Sequence, residues 1–191
     1  GISNAVPPTI EQVLPRRSTL SRSAAGERHL RQVIATNIDT VMVVCGLDGD
    51  FNPARIERYF VLIEGSGAKA VVVLTKADLA ADAQAMTEQL KARMPAGTEI
   101  HAINAKTGFG VDALLAHLGP GSSTVLVGSS GAGKSTLTNT LLGEARQSTQ
   151  AVRANDSRGR HTTTYRSLIM LPSGGCLIDT PGMREVKLSG D

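Results

Sequence analysis

Three observations predict an α/β fold, a three-layer sandwich in which a mostly parallel sheet carries helices on both faces. Short β-branched apolar runs alternate with segments whose apolar residues recur at helical spacing. The runs are continuous rather than alternating, as in strands buried on both faces. A glycine-rich turn joins one of these strands to the helix after it.

In chain order, residues 1–38 read as extended and irregular, with Pro7, Pro8 and Pro15 among serines and arginines. Residues 10–14 are a candidate strand, and the segment is too small to bury a core of its own. At residue 39 the pattern changes. Residues 41–45 form a buried strand. Asn52-Pro53 caps and opens a helix whose Ile56, Tyr59, Phe60 and Ile63 form one stripe, and Gly65 and Gly67 end it. Residues 71–74 are a second strand, and about 82–94 a helix stopped by Pro95. Residues 100–103 make a third strand. Val111, Leu114, Leu115 and Leu118 mark another helical stripe. Residues 124–127 are a fourth strand, before the glycine-rich turn and a helix reaching Leu142. Residues 143–164 are polar and read as a loop. Residues 165–171 and 176–179 flank Pro172-Ser173-Gly174-Gly175 as a hairpin, adding one antiparallel edge strand. No internal repeat is present. The expected division is 1–38 as one unit and 39–191 as the main domain.

Composition narrows the class. Hydrophobic residues make up 41% of 191, as in a soluble globular chain, and no apolar run approaches the roughly 20 residues of a membrane span. The chain opens on Gly1 without a charged, apolar leader, so no targeting segment is expected and the termini are read as processing or cloning boundaries. Cys45 and Cys176 lie in apolar runs and read as buried strand thiols, without the clustered partners of a zinc site. A reducing, cytoplasmic location fits. The net charge of +3 is unevenly placed: residues 1–38 hold five Arg and two Glu, and residues 146–166 five Arg and one Asp. Two basic segments flanking the core point to a polyanion such as RNA, or to solvated loops.

The chemistry sits in short motifs at the strand ends. Gly128-Ser129-Ser130-Gly131-Ala132-Gly133-Lys134-Ser135 fits G-x-x-x-x-G-K-[ST], with a strand before it and a helix after. The glycines let backbone N–H groups turn toward phosphate oxygens, and the helix adds its positive end. Lys134 is expected on the β- and γ-phosphates, Ser135 on Mg²⁺, and Thr136 closes the nucleotide-contacting run. The fold class is therefore a P-loop NTPase. Thr75-Lys76-Ala77-Asp78 follows the second strand and resembles the N-K-x-D motif of guanine-nucleotide proteins, with Thr75 in place of the usual Asn. There, Asp78 would accept two hydrogen bonds from guanine and Lys76 would lie along the base. Adenine lacks that donor pair. Asn104-Ala105-Lys106 follows the third strand and resembles the S-A-K motif that contacts the guanine carbonyl. Asp179-Thr180-Pro181-Gly182 matches D-x-x-G: Asp179 would hold Mg²⁺ through water, and the Gly182 N–H would sense the γ-phosphate. In Gly159-Arg160-His161-Thr162-Thr163-Thr164, Thr163 is the chosen switch threonine for Mg²⁺, with Thr162 and Thr164 as alternatives.

The order of these motifs is unusual. GTPases ordinarily begin with the phosphate loop and end with the base motifs. Here the base motifs come first, so the domain is a circularly permuted G domain. Rejoining nearby termini keeps the same site in space.

With Val13-Leu14-Pro15-Arg16-Arg17-Ser18, Asn37-Ile38-Asp39, the 159–164 run and Asp179 to Glu185, the chain resembles the ribosome small-subunit-dependent GTPase A family of permuted bacterial GTPases. The resemblance covers most of residues 11–188. It implies GTP hydrolysis to GDP and phosphate in late 30S maturation, stimulated by that subunit, with 16S rRNA as partner. An alternative is a GTP-gated RNA-binding assembly factor in which hydrolysis only resets affinity; a further rival is an ATPase. The family carries an N-terminal OB-fold and a C-terminal zinc domain. Residues 1–38 are then the tail of the OB-fold plus linker, and zinc is expected only in the domain this chain lacks. Met183 stands where Ras-like proteins place a water-orienting Gln, and the resemblance points to His161 instead, which otherwise reads as a loop histidine or an RNA contact. His29, His101 and His117 read as ordinary surface or boundary residues. Few aromatics remain for base stacking, and a monomer without membrane contact is expected.

Overall fold

The computed structural model describes residues 10–23, 31–143 and 167–179. A six-stranded sheet organises it, in the order β5-β4-β3-β6-β8-β7. The strands are β3 (Thr40–Gly46), β4 (Lys69–Thr75), β5 (Glu99–Ala102), β6 (Ser123–Val127), β7 (Ser167–Met170) and β8 (Cys176–Asp179). All neighbours are parallel except β7, the antiparallel edge that the hairpin pattern predicts. A separate antiparallel pair, β1 (Thr19–Ser23) and β2 (Arg31–Thr36), precedes the sheet.

The continuous apolar runs have a direct explanation. Val41, Val43 and Cys45 of β3, with Val72 and Leu74 of β4, enter one core, while Met42, Val44, Val71 and Val73 enter the other. Each strand thus buries both faces. One core lies under helices α1 (Pro53–Ile63) and α2 (Ala83–Lys91), the other under a 3-10 helix, Val111–His117, and α3 (Lys134–Leu142). Asn52 caps α1 by accepting from the Arg55 N–H at 2.9 Å, with Pro53 behind it, and Asp82 caps α2 on the Ala85 N–H.

Three expectations change. Residues 10–14 form no strand, and Ile10, Val13 and Leu14 are exposed, because no edge among the described residues pairs with them. The strands of this region lie later, in β1 and β2. Second, Leu115 points outward while Val111 and Leu114 are buried. At three residues per turn, Val111, Leu114 and His117 share one face, and Leu115 does not. Third, Cys45 is buried but Cys176 is only partly so. Burial pushes the Cys45 thiol above its ordinary pKa. Tyr165 lies outside the described residues. Among those described, no helix is long and apolar enough to cross a membrane.

The β1–β2 pair shares the main core. Leu20, Ile34, Ala35 and Ile38 are buried in the cluster that holds Ile56, Tyr59 and Ile63 of α1. Ser18 fastens the junction: its buried Oγ donates to the Ile38 carbonyl at 2.6 Å and accepts from the Ile38 N–H at 2.7 Å. Thr19 N–H also reaches the Ser66 carbonyl at 2.8 Å. Leu20→Ala should therefore destabilise the main sheet by about 2–5 kcal/mol, read as an earlier single transition in denaturant. An unchanged midpoint for the sheet would mean that the hairpin folds apart from it.

Candidate functional site

The order of the sheet reverses between β3 and β6. From β3 the chain moves outward to β4 and β5, then returns to β6 on the other side of β3. In such sheets the crevice beyond the carboxyl ends at the reversal is where ligands bind. The loops after β3, β4, β5 and β6 all open there.

The loop after β6 is the predicted phosphate loop. Gly128, Gly131 and Gly133 all have positive φ, at 142°, 84° and 94°. At Gly128 a side chain is excluded twice over, because a Cβ would lie 2.1 Å from the Val44 carbonyl oxygen of β3. Gly133 opens α3 and packs against Thr75, where a Cβ would stand 3.0 Å from the hydroxyl. Ala132 is fully buried, and Ser130 and Gly131 are exposed at the tip. Lys134 is the first residue of α3, and its Nζ donates to the Gly128 carbonyl at 2.6 Å and also to that of Ser129. Ser135 is exposed in the first turn of α3, and Thr136 follows half-buried.

Thr75 now has a role that its sequence position did not reveal. Its buried Oγ1 donates to the Ala132 carbonyl at 2.6 Å, tying the end of β4 to the phosphate loop. The shorter Thr hydroxyl supplies this bond where the guanine motif ordinarily has Asn. Lys76 holds a left-handed backbone, φ 59°, which turns the chain sharply into the short 3-10 turn Ala77–Leu79. That turn is pinned by the Ala77 N–H on the Ile103 carbonyl at 3.1 Å. Asp78 is exposed at its centre.

The loop after β5 is built by its own Asn. Asn104 Oδ1 accepts from the Lys106 N–H at 2.9 Å and the Thr107 N–H at 3.3 Å, and Asn104 bridges to Phe109 across the loop. Ala105 is buried, and its carbonyl accepts from Thr140 Oγ1 of α3. Lys106 is exposed. The two base motifs and the phosphate loop are thus braced together through Thr75, Ile103 and Thr140. A cavity of about 840 Å³ lies beside Asp78 and Asn104, between α2 and this loop. It is lined by Ala83, Thr87, Ala102 and Phe109 among others, and by no residue of the phosphate loop.

Sequence reasoning missed two residues of the loop after β3. Asp50 accepts from Ser129 Oγ at 2.8 Å, from the Gly46 N–H at 3.2 Å and from Arg55 at 2.5 Å. Asp48 pairs with Lys76 at 2.5 Å, and the hydrogen bond from that ammonium holds its carboxyl below the ordinary range. The available signal was positional: Asp48-Gly49-Asp50 follows a buried strand at the same level as the other motifs.

Asp179 ends β8, which pairs in parallel with β6, so its backbone stands beside the strand that feeds the phosphate loop. His161, Thr162, Thr163, Thr164, Gly182 and Met183 lie outside the described residues.

Comparison with known proteins places this arrangement. A family model described as RsgA GTPase matches residues 13–189. The chain belongs to the RsgA GTPase family. It is 62% identical over 185 residues to a small ribosomal subunit biogenesis GTPase RsgA from Xanthomonas campestris pv. campestris, covering 95% of this chain and 50% of that protein. A relative of the same name from Xanthomonas oryzae pv. oryzae is 60% identical over the same length. The chain thus spans about half the length of the curated RsgA relatives it matches. The crystal structure of YjeQ from Thermotoga maritima superposes with a TM-score of 0.65 at 26% identity, covering 93% of this chain and 56% of that one. YloQ, described as a circularly permuted GTPase, matches in fold with a TM-score of 0.57 at 20% identity, covering 94% of this chain and 61% of that one. The fold is accordingly that of a permuted P-loop GTPase.

Thr75→Val keeps the shape of the side chain but leaves the Ala132 carbonyl without its donor. Nucleotide affinity should fall by about 1–2 kcal/mol, roughly 5–30-fold, in a fluorescent-nucleotide titration. Unchanged affinity would remove Thr75 from the support of the phosphate loop.

Proposed function

We propose that this chain binds GTP and hydrolyses it to GDP and phosphate as a late-stage maturation factor of the small (30S) ribosomal subunit, with turnover stimulated by that subunit. The observation that carries the reading is the meeting of a phosphate loop with two base motifs that precede it in the chain, all braced at one end of one sheet. The partner follows from the name the relatives carry, small ribosomal subunit biogenesis GTPase.

In this reading the triphosphate lies along residues 128–135, against backbone N–H groups and the positive end of α3. Lys134 exchanges the carbonyls of Gly128 and Ser129 for the β- and γ-phosphate oxygens, where its charge offsets the charge that develops as the bond breaks. Asp78 accepts from the guanine N1–H and exocyclic amine, and Lys76 flanks the base. The Ser135 hydroxyl and the Asp179 carboxylate belong to elements that follow or pair with β6, and both are hard oxygen donors suited to Mg²⁺. Mg²⁺, when bound, neutralises charge on the β- and γ-phosphates. Thr163 completes that oxygen set, and the Gly182 N–H contacts the γ-phosphate. Water attacks in line, and because Met183 offers no hydrogen bond to orient it, that role falls to His161. Residues 1–38 supply the tail of an OB-fold and its linker, with 16S rRNA as the surface engaged by the whole protein in the cytoplasm.

Two measurements test this. Asp78→Asn removes the acceptor for both guanine donors and should weaken GTP binding on the order of a hundredfold. It should improve binding of the xanthine nucleotide, whose 2-oxo group takes the new amide N–H; retained GTP selectivity would favour the ATPase reading. Turnover of GTP by the intact protein should rise with purified 30S subunits and stay at its basal rate with 50S. Equal rates in both would sink the proposed partner while leaving the GTPase standing.

A further inference from the structure

A second cluster of reactive side chains lies at the amino-terminal end of β5, away from the loops that form the nucleotide crevice. Glu99 and His101 alternate onto one face of this edge strand, and His117 closes over them from the end of the 3-10 helix. Glu99 Oε2 is 2.8 Å from His117 Nε2 and 3.7 Å from His101 Nε2. One ligand atom from each of the three residues lies within 4.8 Å of the others. Nitrogen ligands on a tetrahedral ion at about 2.05 Å stand roughly 3.3 Å apart, so small side-chain shifts would bring these atoms onto one cation.

Two further observations point to an ion rather than to a plain ion pair. The other carboxylate oxygen, Oε1, is already engaged by Lys69, which leaves Oε2 to face both imidazoles. His101 Nε2 is buried and has no hydrogen-bond partner among the described residues. Buried polar atoms are rarely left so. A hydrogen bond between Glu99 and His117 accounts for that pair but not for His101 turned into the same space.

We infer that Glu99, His101 and His117 form a binding site for a divalent first-row transition cation, Zn²⁺ foremost. Two imidazoles and one carboxylate suit a borderline cation and not Mg²⁺, which prefers oxygen throughout. Three protein ligands leave a position for water. The site joins Glu99 and His101 to His117, and between them runs the loop with Asn104, Ala105 and Lys106. The cation would brace the two ends of that segment on a strand that, among the described residues, has a neighbour on one side only. Its role is structural.

The test uses the 191-residue chain, stripped with chelator, held under a thiol-free reductant and kept in excess Mg²⁺ without nucleotide. Zinc binding is thus read apart from GTP hydrolysis, and the two proposals fail separately. Zn²⁺ should bind at one equivalent and raise Tm by about 5–10 °C at a hundredfold excess over Kd. His101→Gln and His117→Gln should each abolish that rise while keeping the wild-type circular dichroism. Co²⁺ bound to the wild-type chain should show visible d–d bands without the thiolate-to-metal band that Cys45 or Cys176 would produce. No zinc-dependent shift in the wild type, an equal shift in both variants, or a thiolate band would overturn the proposal. The cobalt spectrum decides even where a variant fails to fold.

Discussion

The phosphate loop rests directly on the ends of two neighbouring strands, and the rest of the site depends on that contact. Gly128 crosses the Val44 carbonyl of β3 too closely for any side chain, and the buried hydroxyl of Thr75 at the end of β4 holds the Ala132 carbonyl. The contact exists because β3, β4 and β6 are parallel and adjacent, so their carboxyl ends lie level. It makes one rigid body of two motifs 53 residues apart in number, Thr75 and Gly128. On the proposed reading, the turn placed by β4 reads the base of a nucleotide whose phosphates are held after β6. Preorganisation of this kind lowers the ordering cost of binding.

Charge around the loop is balanced locally. Asp48 and Asp50 bring two carboxylates close to where anionic phosphates would lie, and each is matched by a cation, Lys76 and Arg55. Asp50 also orders Ser129 within the loop. Lys76 therefore links the loop after β3 to the base motif and has an ionic partner besides its place in that motif. Both pairs are partly shielded from solvent, where such contacts count for more than on an open surface.

Several residues that mark the family lie far from this chemistry. Ser18, Asn37, Ile38 and Asp39 gather at the amino-terminal end of the sheet. Asn37 holds φ 56° while its side chain accepts from the Arg17 N–H at 2.8 Å and donates to the Pro15 carbonyl at 3.2 Å. Asp39 accepts from the Ser123 N–H at 2.8 Å, which registers β3 against β6. These positions lock the β1–β2 hairpin onto the core and set the start of the central strands. Their distance from the crevice is consistent with their work being structural.

Local order was legible from the chain alone. Continuous β-branched runs announced strands buried on both faces, Asn52-Pro53 and Asp82 announced helix starts, and the glycine spacing before Lys134 announced the phosphate loop, because each signal depends on neighbours a few residues away. Motif order alone revealed the permutation. What lay beyond reach were contacts between residues distant in sequence. The strand at 10–14 failed because an apolar run is a strand only where another edge receives it. Leu115 was misplaced because tertiary packing chose three residues per turn over 3.6. Thr75 as a clamp, Asp50 as the partner of Ser129, and the convergence of His101 and His117 on Glu99 all required strands to be brought side by side. Sequence determined which segments form strands and helices and which motifs follow them; only the tertiary structure decided which side chains meet, since those meetings are set by sheet order and register.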